Sequence, residues 1–142
     1  MTVEIRDARP EDAEGLVQLI GLLAHQVDAA GVRKRLEQLH SDDLPQLVAV
    51  EDGEVIGLCG MHRMTAVHRQ RPVGRITILV VSEAARGKGV GRLLVDAAEE
   101  RLRAAGCGLF ELTSNDWLVE AHRFYQQAGF SATGKRFAKE LS

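Results

Sequence analysis

The chain has 142 residues, 45% of them hydrophobic and 27% charged, with a formal net charge of −2. That length suits one domain around one core, expected over residues 1–142. The near-neutral balance excludes a surface that holds nucleic acid or membrane by bulk charge. The lack of any long apolar run or signal-peptide pattern points to the cytosol.

In chain order, "VEIRDAR" alternates apolar and polar residues and predicts a first strand. "RPEDAEGLVQLIGLLAHQ" opens with Pro10 and acidic residues, and Leu16, Leu19, Ile20 and Leu23 recur at helical spacing. "VRKRLEQLH" predicts a second, shorter helix. In "QLVAVEDGEVIGLCGM", Asp52-Gly53 between two apolar runs predicts a hairpin. "TAVHRQRPVG" is a polar loop, and "RITILVV" has the composition of a strand buried on both faces. After "SEAARGKG", Val90, Leu93, Leu94, Ala97, Ala98 and Leu102 form one helical stripe, stopped at Gly106. "CGLFELTS" predicts another strand, "VEAHRFYQQAG" a helix ending at Gly129, and "FSATGKRFAKEL" one or two short strands. The fold class expected is α+β with a mixed sheet.

Cys59 and Cys107 lie in apolar segments and read as reduced core residues. The histidines are scattered, with no paired Cys/His spacing, so no metal is expected.

The chemistry concentrates in "RGKGVG", Arg86 to Gly91, between a strand and a helix. The first N–H groups of a helix lack intrahelical partners and point at whatever lies above them. Gly87, Gly89 and Gly91 let a phosphate approach without meeting a Cβ, and Arg86, Lys88 and Arg92 add positive charge. A P-loop needs GxxxxGK[ST], which is absent, and the Rossmann pattern fails at Arg92.

"VVSEAARGKGVGRLLVDAAEERL" resembles the signature motif of the GNAT superfamily of acyl-CoA N-acyltransferases, with Arg86, Gly89 and Gly91 at its defining positions. "FELTSNDWLVEAHRFYQQAGF" is similar to the superfamily's second motif, with its tyrosine at Tyr125. "IRDARPEDAEGL" is a frequent opening there, so the likeness covers essentially the whole chain. Two positions depart from the usual pattern: Glu83 stands where many members have proline, and Leu118 where many have asparagine, with Asn115 nearby.

The resemblance implies a mostly antiparallel twisted sheet flanked by helices, and acetyl-CoA in a cleft where the central strand splays from a parallel neighbour. The backbone of Gly87, Lys88, Gly89, Val90 and Gly91 would hold the pyrophosphate, with Arg86 and Arg92 beside it. Leu79, Val80 and Val81 would pair with the pantetheine arm as an added strand. The Val81 amide would polarise the thioester carbonyl. Asn115, Ala121 and Phe124 would complete the cofactor contacts. Tyr125 would act as general acid to the leaving CoA thiolate, and an amine would attack directly. A lysine-like amine costs roughly 4.6 kcal/mol to deprotonate at pH 7, so a base is needed. Glu111 and His62 are the candidates by strand placement.

The acceptor would be a primary amine of a small molecule or peptide, and a homodimer is possible. The alternative to an enzyme is an acyl-CoA-binding regulatory module without turnover. Acceptor charge stays open, because Asp28, Asp42 and Asp43 on one side oppose the basic "HRMTAVHRQRPVG" on the other.

Overall fold

The computed structural model describes residues 2–114 and 119–141. Its strands are β1 (Val3–Asp7), β2 (Leu47–Glu51), β3 (Glu54–Met64), β4 (Val73–Val81) and β5 (Leu109–Glu111). Its α-helices are α1 (Ala13–Gly21), α2 (Ala29–Asp42), α3 (Val90–Ala104) and α4 (Val119–Gln127). The strands form one sheet in sequence order, antiparallel throughout except for the parallel β4–β5 pair.

Local chemistry sets the boundaries. The β2–β3 hairpin turns on Asp52 and Gly53, both with positive φ (52° and 78°), as the Asp-Gly pair predicts. Asp28 caps α2 by accepting from the Gly31 N–H at 2.6 Å. Helix α3 starts from Gly89 at φ 81° and is followed by Gly106 at φ 88°.

The helices cover both faces of the sheet. On one, α3 packs Val90, Leu94, Val95, Ala98 and Leu102 against Ala49, Cys59, Met61 and Ile76, with Leu79 and Val81 at the margin. On the other, Ala13, Leu16, Leu19 and Val32 from α1 and α2 meet Val48, Leu58 and Val80. β4 carries an extra residue at Thr77, because Gly60 pairs with Ile78 while Met61 pairs with Ile76. A Cβ on Gly60 would lie 2.5 Å from Thr77 Oγ1 and 2.7 Å from Ile78 Cγ2, so the bulge requires a glycine opposite it.

Several expectations need correction. Helix α1 ends at Gly21, short of the predicted stretch; Leu22 and Leu23 are about two-fifths exposed, and Ala24 turns at φ 63°. Without a core to face, those leucines give the helix no reason to continue. On α3, Leu93 is 45% exposed, and Val95 takes its place in the core. β5 is only three residues long because β4 and β5 diverge beyond Arg75 and Glu111. Residues 130–141 form no strand, and Phe137 and Leu141 stand about 90% exposed. Their alternation suits a strand, but a strand needs a neighbouring edge, and no pairing with a described residue supplies one.

Candidate functional site

β4 continues after β5 leaves it. The parallel ladder runs from Val73↔Leu109 to Arg75↔Glu111 and stops. From Ile76 to Val81 the β5-facing edge of β4 has no strand partner among the described residues, an open slot of ~20 Å. The Ser82 N–H donates to the Ile56 carbonyl at 2.8 Å, toward β3. Because strand amides alternate, those of Leu79 and Val81 therefore face the slot, while Val80 turns its N–H and C=O to β3. Of the three residues expected to pair with an extended ligand, two offer backbone groups and Val80 does not.

The slot ends on the glycine turn. Gly87 and Gly89 have φ of 80° and 81°, and a Cβ on either would meet nothing within 4 Å. They are glycines for backbone conformation and for the open space above them. Gly91 differs: a Cβ there would sit 3.5 Å from Phe124 Cζ and 3.9 Å from Val81 Cγ2. It marks where the start of α3, the end of β4 and α4 converge. Val90 is buried and anchors the turn, whereas Arg86 and Lys88 are exposed and make no ion pair with any described residue. Arg92 is committed elsewhere, to Asp96 at 3.0 Å and the Gln127 carbonyl at 3.4 Å. Its charge is shared along α3 instead of standing free over the turn.

Helix α4 sets Phe124 against the start of α3 and Tyr125 near Cys59 on the same face, and Ala121, Phe124 and Tyr125 are each half-buried. The helix closes with Gly129 at φ 98° and a Phe130 N–H to Tyr125 carbonyl bond at 3.0 Å, a Schellman turn. That turn seats Phe130 edge-on against Phe110 (4.9 Å) and Tyr125 (6.0 Å). Burial, and secondarily Cys59, pushes the Tyr125 hydroxyl above its ordinary value. Burial likewise drives the Cys59 thiol up to about 12, so it is an inert core group. His122 is half-buried. Asn115 lies outside the described residues.

The two base candidates fall on the opposite face. His62 pairs in register with Arg75, and Arg75 with Glu111, so three adjacent strands carry a row of polar side chains. Arg75 donates to Glu111 Oε1 and to Thr113 Oγ1, each at 3.2 Å. His62 Nδ1 bonds Asp43 Oδ2, and Asp43 Oδ1 accepts the Arg63 N–H at 3.0 Å. Gln46 fixes that corner through Met61, accepting its N–H at 2.8 Å and donating to its carbonyl at 3.0 Å. From the sequence Asp43 stood out only as a charge near the acceptor, and Arg75 and Thr113 did not stand out. Arg75 had a cue, a lone charge opening "RITILVV"; the tie of Asp43 to His62 had none, since only folding brings the two together. No group of three or more metal-ligating side chains occurs among the described residues. No helix among them is long and apolar enough to cross a membrane.

A split parallel pair ending on a glycine-lined helix start suits an extended ligand that carries phosphate. Residues 13–130 match the model of the Acetyltransferase (GNAT) family, and the chain belongs to that family. It is 34% identical over 140 residues to the aminoalkylphosphonate N-acetyltransferase of Salmonella typhimurium, covering 97% of this chain and 91% of that one. It is 32% identical to the aminoglycoside N(6')-acetyltransferase type 1 of Stenotrophomonas maltophilia, covering 91% and 86%. The fold matches that of glucosamine-6-phosphate N-acetyltransferase from Arabidopsis thaliana with a TM-score of 0.87, at 24% identity over 100% of both chains. The chain is an acetyl-CoA-dependent N-acetyltransferase.

Proposed function

We propose that this enzyme transfers acetyl from acetyl-CoA directly to the primary amine of a small cytoplasmic molecule bearing an acidic group, with Tyr125 as general acid. The observation that carries the reading is the open edge of β4 running into the glycine turn. The N–H groups of residues 87–91 bind the pyrophosphate, with Arg86 and Lys88 supplying charge. Each such helix-end contact is worth about 0.3–1 kcal/mol when exposed, so several must act together.

The pantetheine arm has a backbone about as long as four extended residues, ~13 Å. Val81 touches the start of α3, so its amide meets the arm and the Leu79 amide meets the thioester carbonyl. The oxyanion contact expected at Val81 thereby moves down the strand to Leu79. Tyr125 donates its proton to the departing sulfur from the α3 side, while the amine enters from the α1–α2 side, where Glu111 and His62 stand. The two approaches do not compete for space.

The acceptor's charge follows from how the acids are used. Of the three acids on that side, Asp28 is spent on capping α2 and Asp43 on His62 and the Arg63 N–H, which leaves Asp42, exposed, against the basic loop. The basic residues of the loop before β4, His68 and Arg69, are exposed, which favours an anionic acceptor. The acceptor class in the name of the Salmonella typhimurium relative agrees with this.

The test is the melting temperature with acetyl-CoA against NAD, followed by thiol release with 2-aminoethylphosphonate and with an aminoglycoside. Ligand at 100 times Kd adds about 2.7 kcal/mol, several degrees for a chain of this size. A shift with acetyl-CoA alone and thiol release with the phosphonate support the reading. No shift with acetyl-CoA overturns it, and release with the aminoglycoside alone overturns the acidic acceptor.

A further inference from the structure

We propose that His62, held by Asp43, is the general base of the reaction and that Asp43 is its positioning residue. This rests on the acetyl-transfer reading above and decides between its two base candidates.

The geometry separates those candidates. Glu111 is clamped by the Arg75 guanidinium on the neighbouring strand at 3.2 Å, so its Oε1 is already committed to an ion pair within the sheet. His62 has a different partner. Its Nδ1 faces a carboxylate whose second oxygen is fixed by the Arg63 backbone N–H. With Nδ1–H donating to Asp43, Nε2 carries the lone pair and is the ring's proton acceptor. Asp43 thus sets the tautomer and the aim of the ring, which is what a base needs from an orienting partner.

The placement fits the task. Antiparallel register puts His62 beside Arg75, on the α1–α2 face, at the last rung before β4 and β5 part. The acceptor amine reaches the thioester from that face, and Tyr125 stands on the other. The step balances. The amine N–H proton passes to His62 Nε2 as the C–N bond forms, the C–S bond breaks, and the thiolate takes the Tyr125 proton. The charged groups facing the imidazole are Asp43 at the end of α2 and Arg75 on β4, with Glu111 of β5 held by Arg75; the Arg63 side chain turns to the α3 face, where it donates to the Ala105 carbonyl at 3.0 Å.

Two measurements on the full chain test this. The first is a long-range proton–nitrogen correlation NMR spectrum of the free protein at a pH where His62 is neutral, assigned by loss of the signal in His62→Gln. The Nδ1–H tautomer is expected in the wild type, with mixed tautomers in Asp43→Ala. A wild-type ring protonated on Nε2 overturns the proposal whatever the acceptor.

The second is the pH profile of kcat/KM with 2-aminoethylphosphonate, alongside acetyl-CoA affinity by calorimetry. His62→Gln is expected to lose roughly 10²-fold in kcat and the acid limb of the profile, with acetyl-CoA affinity retained. Asp43→Asn should lose part of that activity and Asp43→Glu recover it. If His62→Gln keeps wild-type turnover and profile, the base assignment falls while the acetyltransferase reading stands. A wild type that does not bind acetyl-CoA instead overturns the reading beneath it.

Discussion

Arg75 of β4 holds Glu111 of β5 at 3.2 Å on the last rung where the two strands are paired. The ion pair therefore closes the root of the slot, and both partners are about a third exposed, within reach of solvent screening. Its contribution to stability is small, about 0–1 kcal/mol. Glu111→Gln should accordingly shift the melting temperature by a few degrees at most and leave kcat within a few-fold of wild type. Steady-state thiol release decides this. A loss on the order of 10²-fold would return Glu111 to the role of base.

The glycines of the turn should separate by mechanism. Gly89 sits at φ 81°, where an L-residue costs roughly 1–2 kcal/mol, so Gly89→Ala should lower the melting temperature even without ligand. Gly91 has helical backbone, and its Cβ would make ordinary van der Waals contact with Phe124 at 3.5 Å. Gly91→Ala should hold or raise stability, since alanine is favoured over glycine in a helix by about 1 kcal/mol. Thermal melts of the two variants without acetyl-CoA check the contrast. Equal losses would mean that the turn is not set by backbone conformation.

How far the sequence could be read divides along physical lines. Local rules were legible: Asp52-Gly53 made its hairpin, and "RGKGVG" stands between a strand and a helix as its spacing implies. The open edge of β4 was not legible from pattern, because it depends on where β5 stops. Only the family likeness suggested a splayed pair. Burial misled at Leu93 and at Leu22–Leu23, where apolar residues at helical spacing face solvent. The Asp43–His62–Arg75–Glu111 row joins residues from four elements, and side-chain pairs of that span leave no periodic trace.

Asp12 gives the fold a measurable dependence on acid. Burial alone would raise its carboxyl, but the Arg6 guanidinium, at 2.8 and 3.0 Å, and the Arg9 N–H, at 2.7 Å, outweigh it and hold it below the ordinary 3.8. The folded state thus binds its proton less readily than the unfolded chain. Stability from this group is full above the ordinary carboxylate value and lost as pH falls through the depressed one. Asp12→Asn should cost on the order of 1.5–3 kcal/mol at pH 7 and flatten the acid side of the stability curve. Urea melts of both proteins between pH 7 and pH 3 measure it. Parallel curves would mean that the pair contributes nothing specific.

Tyr125 can be tested through its proton. Burial, then Cys59, raises its hydroxyl above the ordinary 10.0, so it stays protonated through the neutral range and beyond. A general acid needs that form. The alkaline limb of kcat should therefore lie above the value of a free tyrosine. The same shift has a stability counterpart. The folded state holds the proton more tightly than the unfolded chain, so this contribution is complete below the ordinary value and lost as pH climbs through the raised one. Tyr125→Phe keeps the ring that packs edge-on with Phe124 at 5.4 Å and Phe130 at 6.0 Å, so the fold should survive. Turnover should fall roughly 10²-fold, with the alkaline limb removed and acetyl-CoA affinity nearly intact. Thiol-release kinetics across pH, beside calorimetry with acetyl-CoA, separate the outcomes. An unchanged profile would show that the thiolate leaves without Tyr125. A lost affinity would make the hydroxyl part of the cofactor's binding surface instead of its acid.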